Sequence, residues 1–342
     1  MAITIKEIAA RAGVSIGTVD RALHHRGRVR PEIAKRIRQI ALEAGFKPSR
    51  AGRALALAKN PVKIGIVVHL AKTGFMQRML RGIADAKAAL EGLGAHIDVR
   101  SIASVSATEQ MAAIDELIEA GVQGIAISPA EDVALQHKIH EVIKAKGIPF
   151  VTFNTDMAMT GRMSFVGLNN LQSGKTAAGL MASLIGGRGH VAVITGHPAN
   201  QACRHRVEGF VSEIRENYPD VVLCKAQHCF DDSDLAYNLT IASVANNPGL
   251  AGILICSGGQ DGMCKALHQL GAASRIKVVA YDLFPATAEG LHSGAIDFLI
   301  DQDAHFQGYK PAMLLYDKLF HNDDTAQSYF YTDIIIKTKH NI

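Results

Sequence analysis

Between residues 61 and 337, short apolar runs alternate with helical stretches, and the alternation passes through twice. The first round reads as strand 63–68, helix 75–93, strand 95–99, helix 107–120, strand 124–127, helix 131–146 and strand 150–154. A second round starts near residue 165. It reads as helix 171–185, strand 190–195, helix 206–218, strand 221–229, helix 233–246, strand 252–256, helix 260–270 and strand 277–281. Continuously apolar strands between helices predict parallel sheets covered on both faces. There are too many strands for one such sheet, so the pattern predicts two doubly wound α/β lobes. Segments 296–301, 306–320 and 329–337 are expected to return and complete them. The expected lobes are roughly 61–155 plus 285–305, and 156–284 plus 306–337. Two lobes joined by crossovers form a cleft that hinges around a ligand.

Open α/β sheets bind ligands just beyond the carboxyl ends of their strands. The polar residues at those ends are His69 and residues 72–76, Ser128, Asn154-Thr155-Asp156, His197, Ser257-Gly258-Gly259-Gln260 and Asp282. A sugar or polyol site needs amides, carboxylates and Arg for hydroxyl bonds, with aromatic faces against the ring. All of these groups occur here.

The first 47 residues have a different pattern. Helix 5–12 is expected with Thr4 as its cap, and Gly13 suits a tight interhelical turn. Ser15 caps a second helix whose stripe runs through Val19 and Leu23. Opposite that stripe, Ile16, Gly17, Asp20 and Arg21 are left to touch something outside. Pro31 suits the first turn of a third helix, 31–44, with Ile33, Ile37, Ile40 and Ala41 inward. This is an all-α helix-turn-helix, whose second helix enters the DNA major groove. Segment 48–60, alanine-rich and too short to be stable alone, reads as a linker to the body that begins at 61.

Charge agrees with that division. Residues 1–60 carry 13 Lys or Arg against 4 Asp or Glu, although the net charge of the whole chain is only +4. A basic head on a mildly acidic body is the footprint of a nucleic-acid module joined to something else. No apolar run approaches the roughly 20 residues that cross a bilayer. Lys6, Glu7 and Arg11 interrupt any signal-peptide core, so a cytoplasmic protein without a membrane partner is expected. The five cysteines form no CxxC pair and are expected to be buried small hydrophobes.

The head resembles the N-terminus of the LacI/GalR family of bacterial transcriptional repressors. The matching residues are Ile5, Ile8-Ala9, Ala12-Gly13-Val14-Ser15, Thr18-Val19, Arg21 and Arg28-Val29. Asp20 stands where the family usually carries Ser, which alters the expected operator preference because Asp accepts only from a cytosine amino group. The resemblance implies a DNA-facing set of Thr4, Ser15, Ile16, Gly17, Thr18, Asp20, Arg21 and Arg28. It also implies that 48–60 is a hinge helix, with Leu55 as a minor-groove wedge and Arg50 and Arg53 on phosphates.

For the body, the resemblance implies a periplasmic-binding-protein type fold related to ribose-type binding proteins. It carries effector contacts onto Phe75, Asn154, Arg206, Phe230, Asp282 and Gln302; Gln260, at its strand end, is a further candidate contact on position alone. Two departures stand out: Asn154-Thr155 replaces the usual Asp-Arg pair, and Gly258-Gly259-Gln260-Asp261 replaces the usual Asn-Asp.

Other motifs fail. Ser173-Gly174-Lys175-Thr176 lacks the P-loop glycine at position 169, where Asn169 stands, and residues 186–189 precede a strand rather than following one. His137 and His140 share a helix face without a third metal ligand nearby. No nucleophile signature is present, so neither an enzyme nor any metal or cofactor is expected. The reading is a sequence-specific regulator, a repressor of carbohydrate or polyol catabolism genes. It is expected as a homodimer, with a tetramer left open, on a near-palindromic double-stranded operator, and a small carbohydrate or polyol effector releases it. A sugar-phosphate effector or a corepressor is the alternative. A transport component or a sugar-processing enzyme is a more distant one.

Overall fold

The computed structural model describes residues 3–23, 29–44, 61–69, 74–321 and 327–342. Arg28, Arg50, Arg53 and Leu55, the whole of 48–60, and Lys72 and Thr73 lie outside the described residues. The chain divides into two units between Asn60 and Pro61.

The first unit holds helices α1 (Ile5–Ala12), α2 (Ile16–Leu23) and α3 (Pro31–Glu43). Thr4 and Glu7 make a capping box. The Glu7 N–H donates to Thr4 Oγ1 at 3.3 Å and the Thr4 N–H to Glu7 Oε2 at 2.7 Å. Gly13 takes the left-handed conformation that ends α1, with φ 66°. Ser15 Oγ accepts from the Thr18 N–H at 3.2 Å and starts α2. Ile8, Val19 and Ile37 are fully buried, one from each helix, among Ala9, Ala12, Ala22, Ala34 and Ala41. These small side chains allow three short helices to share one core.

In the second unit, one lobe contains β1 (Val62–His69), α4 (Gly74–Glu91), β2 (Ala95–Ile102), α5 (Ala107–Glu119), β3 (Gly124–Ile127), α6 (Val133–Lys146), β4 (Phe150–Phe153) and β5 (Ser164–Leu168). The other contains α7 (Asn170–Ile185), β6 (Gly189–Thr195), α8 (Gln201–Asn217), β7 (Val221–Leu223), β8 (Gln227–His228), α9 (Ser233–Asn246) and β9 (Leu250–Ile255). It continues with α10 (Gln260–Gln269), β10 (Lys277–Tyr281), α11 (Pro285–Ser293) and β11 (Phe298–Asp301). Then come α12 (Ala304–His321), β12 (Tyr329–Thr332) and β13 (Ile335–Lys337). The first sheet runs β12-β5-β4-β3-β1-β2, parallel throughout. The second runs β13-β11-β10-β9-β6-β7, with only β13 antiparallel on this path.

The two α/β lobes agree with the sequence pattern, but the crossover points differ from those expected. The chain leaves the first lobe after β5 rather than at 155, because Val151, Thr152 and Phe153 of β4 continue the sheet into Ser164, Phe165 and Val166. Residues 285–301 stay in the second lobe, where β11 pairs with β10. The helix expected in the second lobe, α12, packs instead on α4 and on the first sheet. A Cβ on Gly82 would lie 2.0 Å from the His305 carbonyl oxygen, so α4 and α12 touch backbone to backbone. Segment 329–337 splits between the sheets, β12 joining the first and β13 the second. The chain therefore crosses between lobes three times.

Candidate functional site

The two lobes enclose a cleft of about 340 Å³ at the carboxyl ends of their strands. That volume lies within the range of small-molecule pockets, ~300–1,000 Å³. His69, Phe75 and Asn154 line it from the first lobe, and Arg206, Asp231, Gln260 and Asp282 from the second, with Gln302 at the crossover. Of the seven effector contacts expected, six line this cleft.

Three of the lining side chains leave their strand ends from left-handed backbone: Asn154 at φ 63°, Asp231 at 62° and Asp282 at 68°. Asn and Asp tolerate this conformation better than most residues, and it turns each side chain sharply at the sheet edge. Phe230, at φ 52°, is the exception to the expectations. It does not line the cleft. The consecutive left-handed residues send Asp231 inward and leave Phe230 52% exposed, against His197 at 5.5 Å and His228 at 6.2 Å between ring centroids.

Arg206 is buried one turn into α8, which Asn200 caps with its side-chain oxygen. Its Nε donates to Asn170 Oδ1 at 2.8 Å and its Nη1 to the Cys256 carbonyl at 2.9 Å. The guanidinium lies 4.2 Å over the Tyr281 ring, and the Tyr281 hydroxyl sits 3.1 Å from Ser173 Oγ. The side chain is therefore fixed from three directions. Arg204, two residues earlier, pairs with Glu131 of the first lobe and is not among the cleft lining.

Asp282 is buried beside Arg206, and Gln302 Nε2 donates to its Oδ1 at 2.7 Å. Burial pushes its carboxyl up to about 6, against the lowering effect of Arg206 and Gln302. Gln302 Oε1 accepts from Gln307 Nε2 at 3.3 Å, so this amide positions Asp282. Gln260 is 1% exposed; its Nε2 donates to the Tyr281 carbonyl at 2.9 Å, and its Oε1 has no partner among the described residues. The Asn154 amide reaches Ser128 Oγ at 3.4 Å, which places Ser128 just behind the wall. Burial pushes the Cys203 thiol in the lining up to about 11, so it stays protonated.

Some lining residues had not been identified from the sequence. Asp231 follows a short strand that merges by pattern into 221–229, and Phe284 caps a helix, α11, that had not been expected. Pro285 at its start and Gly294 past its end were the available signal.

In the head, Ile16 is 53% exposed, and Thr4, Ser15, Gly17 and Arg21 are exposed with it. Thr18 and Asp20 are half-buried. Arg21 Nη2 lies 3.4 Å from Thr18 Oγ1, which in turn lies 2.9 Å from Ser15 Oγ. The body is a pair of α/β lobes joined by crossovers around the cleft.

Known families match both parts. Residues 64–323 match the periplasmic binding protein domain, and residues 4–49 match the bacterial regulatory proteins of the lacI family. The chain belongs to the periplasmic binding protein domain family through its body, carries a lacI-family regulatory domain at its N-terminus, and is a DNA-binding transcriptional regulator. The HTH-type transcriptional regulator GntR of Pseudomonas aeruginosa is 26% identical over 298 residues, 83% of this chain and 80% of that one. The xylose/arabinose-binding protein XylF of Sulfolobus acidocaldarius is 24% identical over 59% of this chain, a match spanning 53% of that relative. Among solved structures, an ABC transporter solute-binding protein from Agrobacterium vitis, bound with α-D-tagatopyranose, superposes with a TM-score of 0.72. It is 26% identical and covers 82% of this chain and 95% of that one. No described helix is long and apolar enough to cross a membrane.

Proposed function

We propose that this chain is a cytoplasmic, homodimeric repressor that leaves its operator when an uncharged carbohydrate or polyol occupies the cleft between its lobes. A dimer supplies two reading helices and so reads a near-palindromic operator. The observation that carries the effector class is the burial of Arg206 and Asp282 together in the cleft lining. A fixed guanidinium donates to hydroxyl oxygens, and a carboxylate accepts from hydroxyl hydrogens. Relatives that bind xylose, arabinose or tagatose support the same class.

The charge balance argues against a phosphorylated effector. Among the described lining residues, Asp231, Asp261 and Asp282 accompany Arg206 alone, and Arg204 is committed to Glu131. A phosphate asks for clustered positive charge. Effector closure alters operator affinity through a coupling free energy between the two sites.

A thermal-shift screen of the full chain across pentoses, hexoses and polyols tests this reading, because a ligand that binds only the folded state raises the melting temperature. A stabilising sugar that also lowers operator affinity in fluorescence anisotropy supports it. Stabilisation by sugar phosphates alone overturns the neutral-effector reading.

A further inference from the structure

His69 ends β1 inside the cleft and is 3% exposed. The geometry around it fixes which ring nitrogen carries the hydrogen. Gln110, fully buried on α5, accepts from the Ala130 N–H through Oε1 at 2.9 Å. Its Nε2 is then the amide end, and it donates to the Ser128 carbonyl at 2.9 Å. His69 Nδ1 approaches that same carbonyl at 2.9 Å and lies 3.2 Å from Gln110 Nε2. A carbonyl oxygen only accepts, so Nδ1 must donate to it, and the carbonyl takes both hydrogens on its two lone pairs. With Nδ1 protonated in a neutral ring, Nε2 is a bare acceptor. Burial keeps the ring neutral by lowering its pKa, outweighing the Ser128 carbonyl and Asp231. Nε2 takes no hydrogen bond among the described residues.

We infer that His69 is a specificity-determining acceptor in the effector cleft, set by the Gln110–Ser128 relay to require a hydroxyl or amine hydrogen from the bound molecule. The inference rests on the proposed carbohydrate effector and narrows it. The buried, unpartnered Oε1 of Gln260 makes the same demand, and the Asp231 carboxylate is also in the lining. The site therefore selects a compact ring that offers several hydrogen donors, and it rejects forms in which the matching hydroxyl is missing, methylated or esterified. A polar site rejects an analogue lacking its partner group because its own buried atom is left unpaired. Gln110 acts only through His69 and is a positioning residue.

The test uses the full chain labelled with ¹⁵N-histidine, with D-xylose, D-arabinose, D-tagatose and myo-inositol as probes, each beside its monophosphate and mono-deoxy forms. In the unliganded protein the His69 Nε2 signal is expected in its unprotonated position, and it moves when a probe binds. Calorimetry is expected to show one mono-deoxy form weakened about tenfold to a hundredfold. Gln110→Glu is nearly isosteric and places a carboxylate beside Nδ1. It is expected to protonate both ring nitrogens, turn Nε2 into a donor, and weaken the binding probe tenfold or more.

A protonated Nε2 in the free wild-type protein, or an Nε2 signal unmoved by a bound probe, overturns the inference. So does a Gln110→Glu chain that binds as wild type with His69 doubly protonated. The spectra of the wild-type chain decide the matter even where that variant fails to fold. Failure of every probe and derivative to bind instead overturns the carbohydrate reading itself.

Discussion

Arg78 of α4 grips Asp301 at the end of β11 with two hydrogen bonds, Nη1 to Oδ1 at 2.9 Å and Nη2 to Oδ2 at 3.3 Å. Nη1 also donates to the Leu283 carbonyl at 2.7 Å. A side chain rooted in the first lobe thus ties together the two loops of the second that carry Asp282 and Gln302. Fork-to-fork Arg–carboxylate pairs add geometric specificity to their energy. The crossover next to the cleft is held in register by this pair.

Arg78→Ala leaves a buried carboxylate without its partner. Removing one member of a buried pair costs roughly 3 kcal/mol, and part of Arg78 is exposed, so the loss is expected at or below that figure. Scanning calorimetry of the full chain should show the body melting several degrees lower. An unchanged melting temperature would mean that the pair contributes nothing.

Asp282 gives a pH dependence of definite sign. Its carboxyl is raised from the ordinary 3.8 to about 6, chiefly by burial, with Asp301 adding to the rise and Arg206, Gln302 and Arg78 opposing it. A group with a raised folded pKa binds its proton more tightly when folded. Its contribution to stability is therefore fully present below 3.8 and is lost as the pH rises through about 6. Effector binding should run the other way, because a hydroxyl donor needs the carboxylate. Calorimetric titration on either side of pH 6 should show affinity falling as the solution is acidified. Asp282→Asn should be weak and flat across the same range, and a wild-type profile without slope would sink the assignment.

The α7–α8 crossing offers a steric test of how Arg206 is placed. A Cβ on Gly174 would lie 2.2 Å from the Arg206 carbonyl oxygen. Because that contact is backbone, Gly174→Ala must push α8 away from α7. Overpacking of this kind typically costs about 1–3 kcal/mol. The displaced segment carries Arg206, so effector affinity should fall together with the melting temperature. A variant that binds effector normally would show that Arg206 tolerates the shift.

Much of this architecture is legible in single stretches of chain. Apolar runs such as Ile64–Val68 mark buried parallel strands, and Thr4, Gly13 and Ser15 mark helix ends by local hydrogen-bond chemistry. The features missed depend on partners distant in sequence. Ser164–Leu168 is a short strand with Ser and Gly in it, and only its pairing with β4 and β12 identifies it. The assignment of β11 and α12 to opposite lobes is set by Gly82 meeting His305 and by β10 meeting β11, contacts that leave no local periodicity. Phe230 and Asp231 differ by one position, and at this pair of left-handed residues it is Asp231 that enters the cleft lining. His69 could be picked out as a strand-end polar residue, but its tautomer depends on Gln110, 41 residues away.

The head allows a sharper test, because the face proposed to read DNA is prearranged. Ser15 Oγ, Thr18 Oγ1 and Arg21 Nη2 form a chain along the exposed side of α2, with separations of 2.9 and 3.4 Å. Arg21 is thereby partly ordered in the head on its own, and Ser15 both caps the helix and anchors that order. Arg21→Ala should leave the fold intact, since the side chain is exposed and Val19 and Ala22 keep the core. A base-edge contact is worth ~1–3 kcal/mol, so affinity for a duplex enriched from a random pool should drop by about that amount, and affinity for random duplex by much less. Ser15→Ala should cost ~1 kcal/mol of head stability through the lost cap, and weaken operator binding through Arg21. Because the two act through one chain of hydrogen bonds, the double variant should lose less operator affinity than the two single losses combined. Fluorescence anisotropy at fixed salt measures all four proteins on both duplexes. Equal losses on enriched and random DNA would show that Arg21 touches phosphate alone, and strict additivity would show that Ser15 has no part in aiming it.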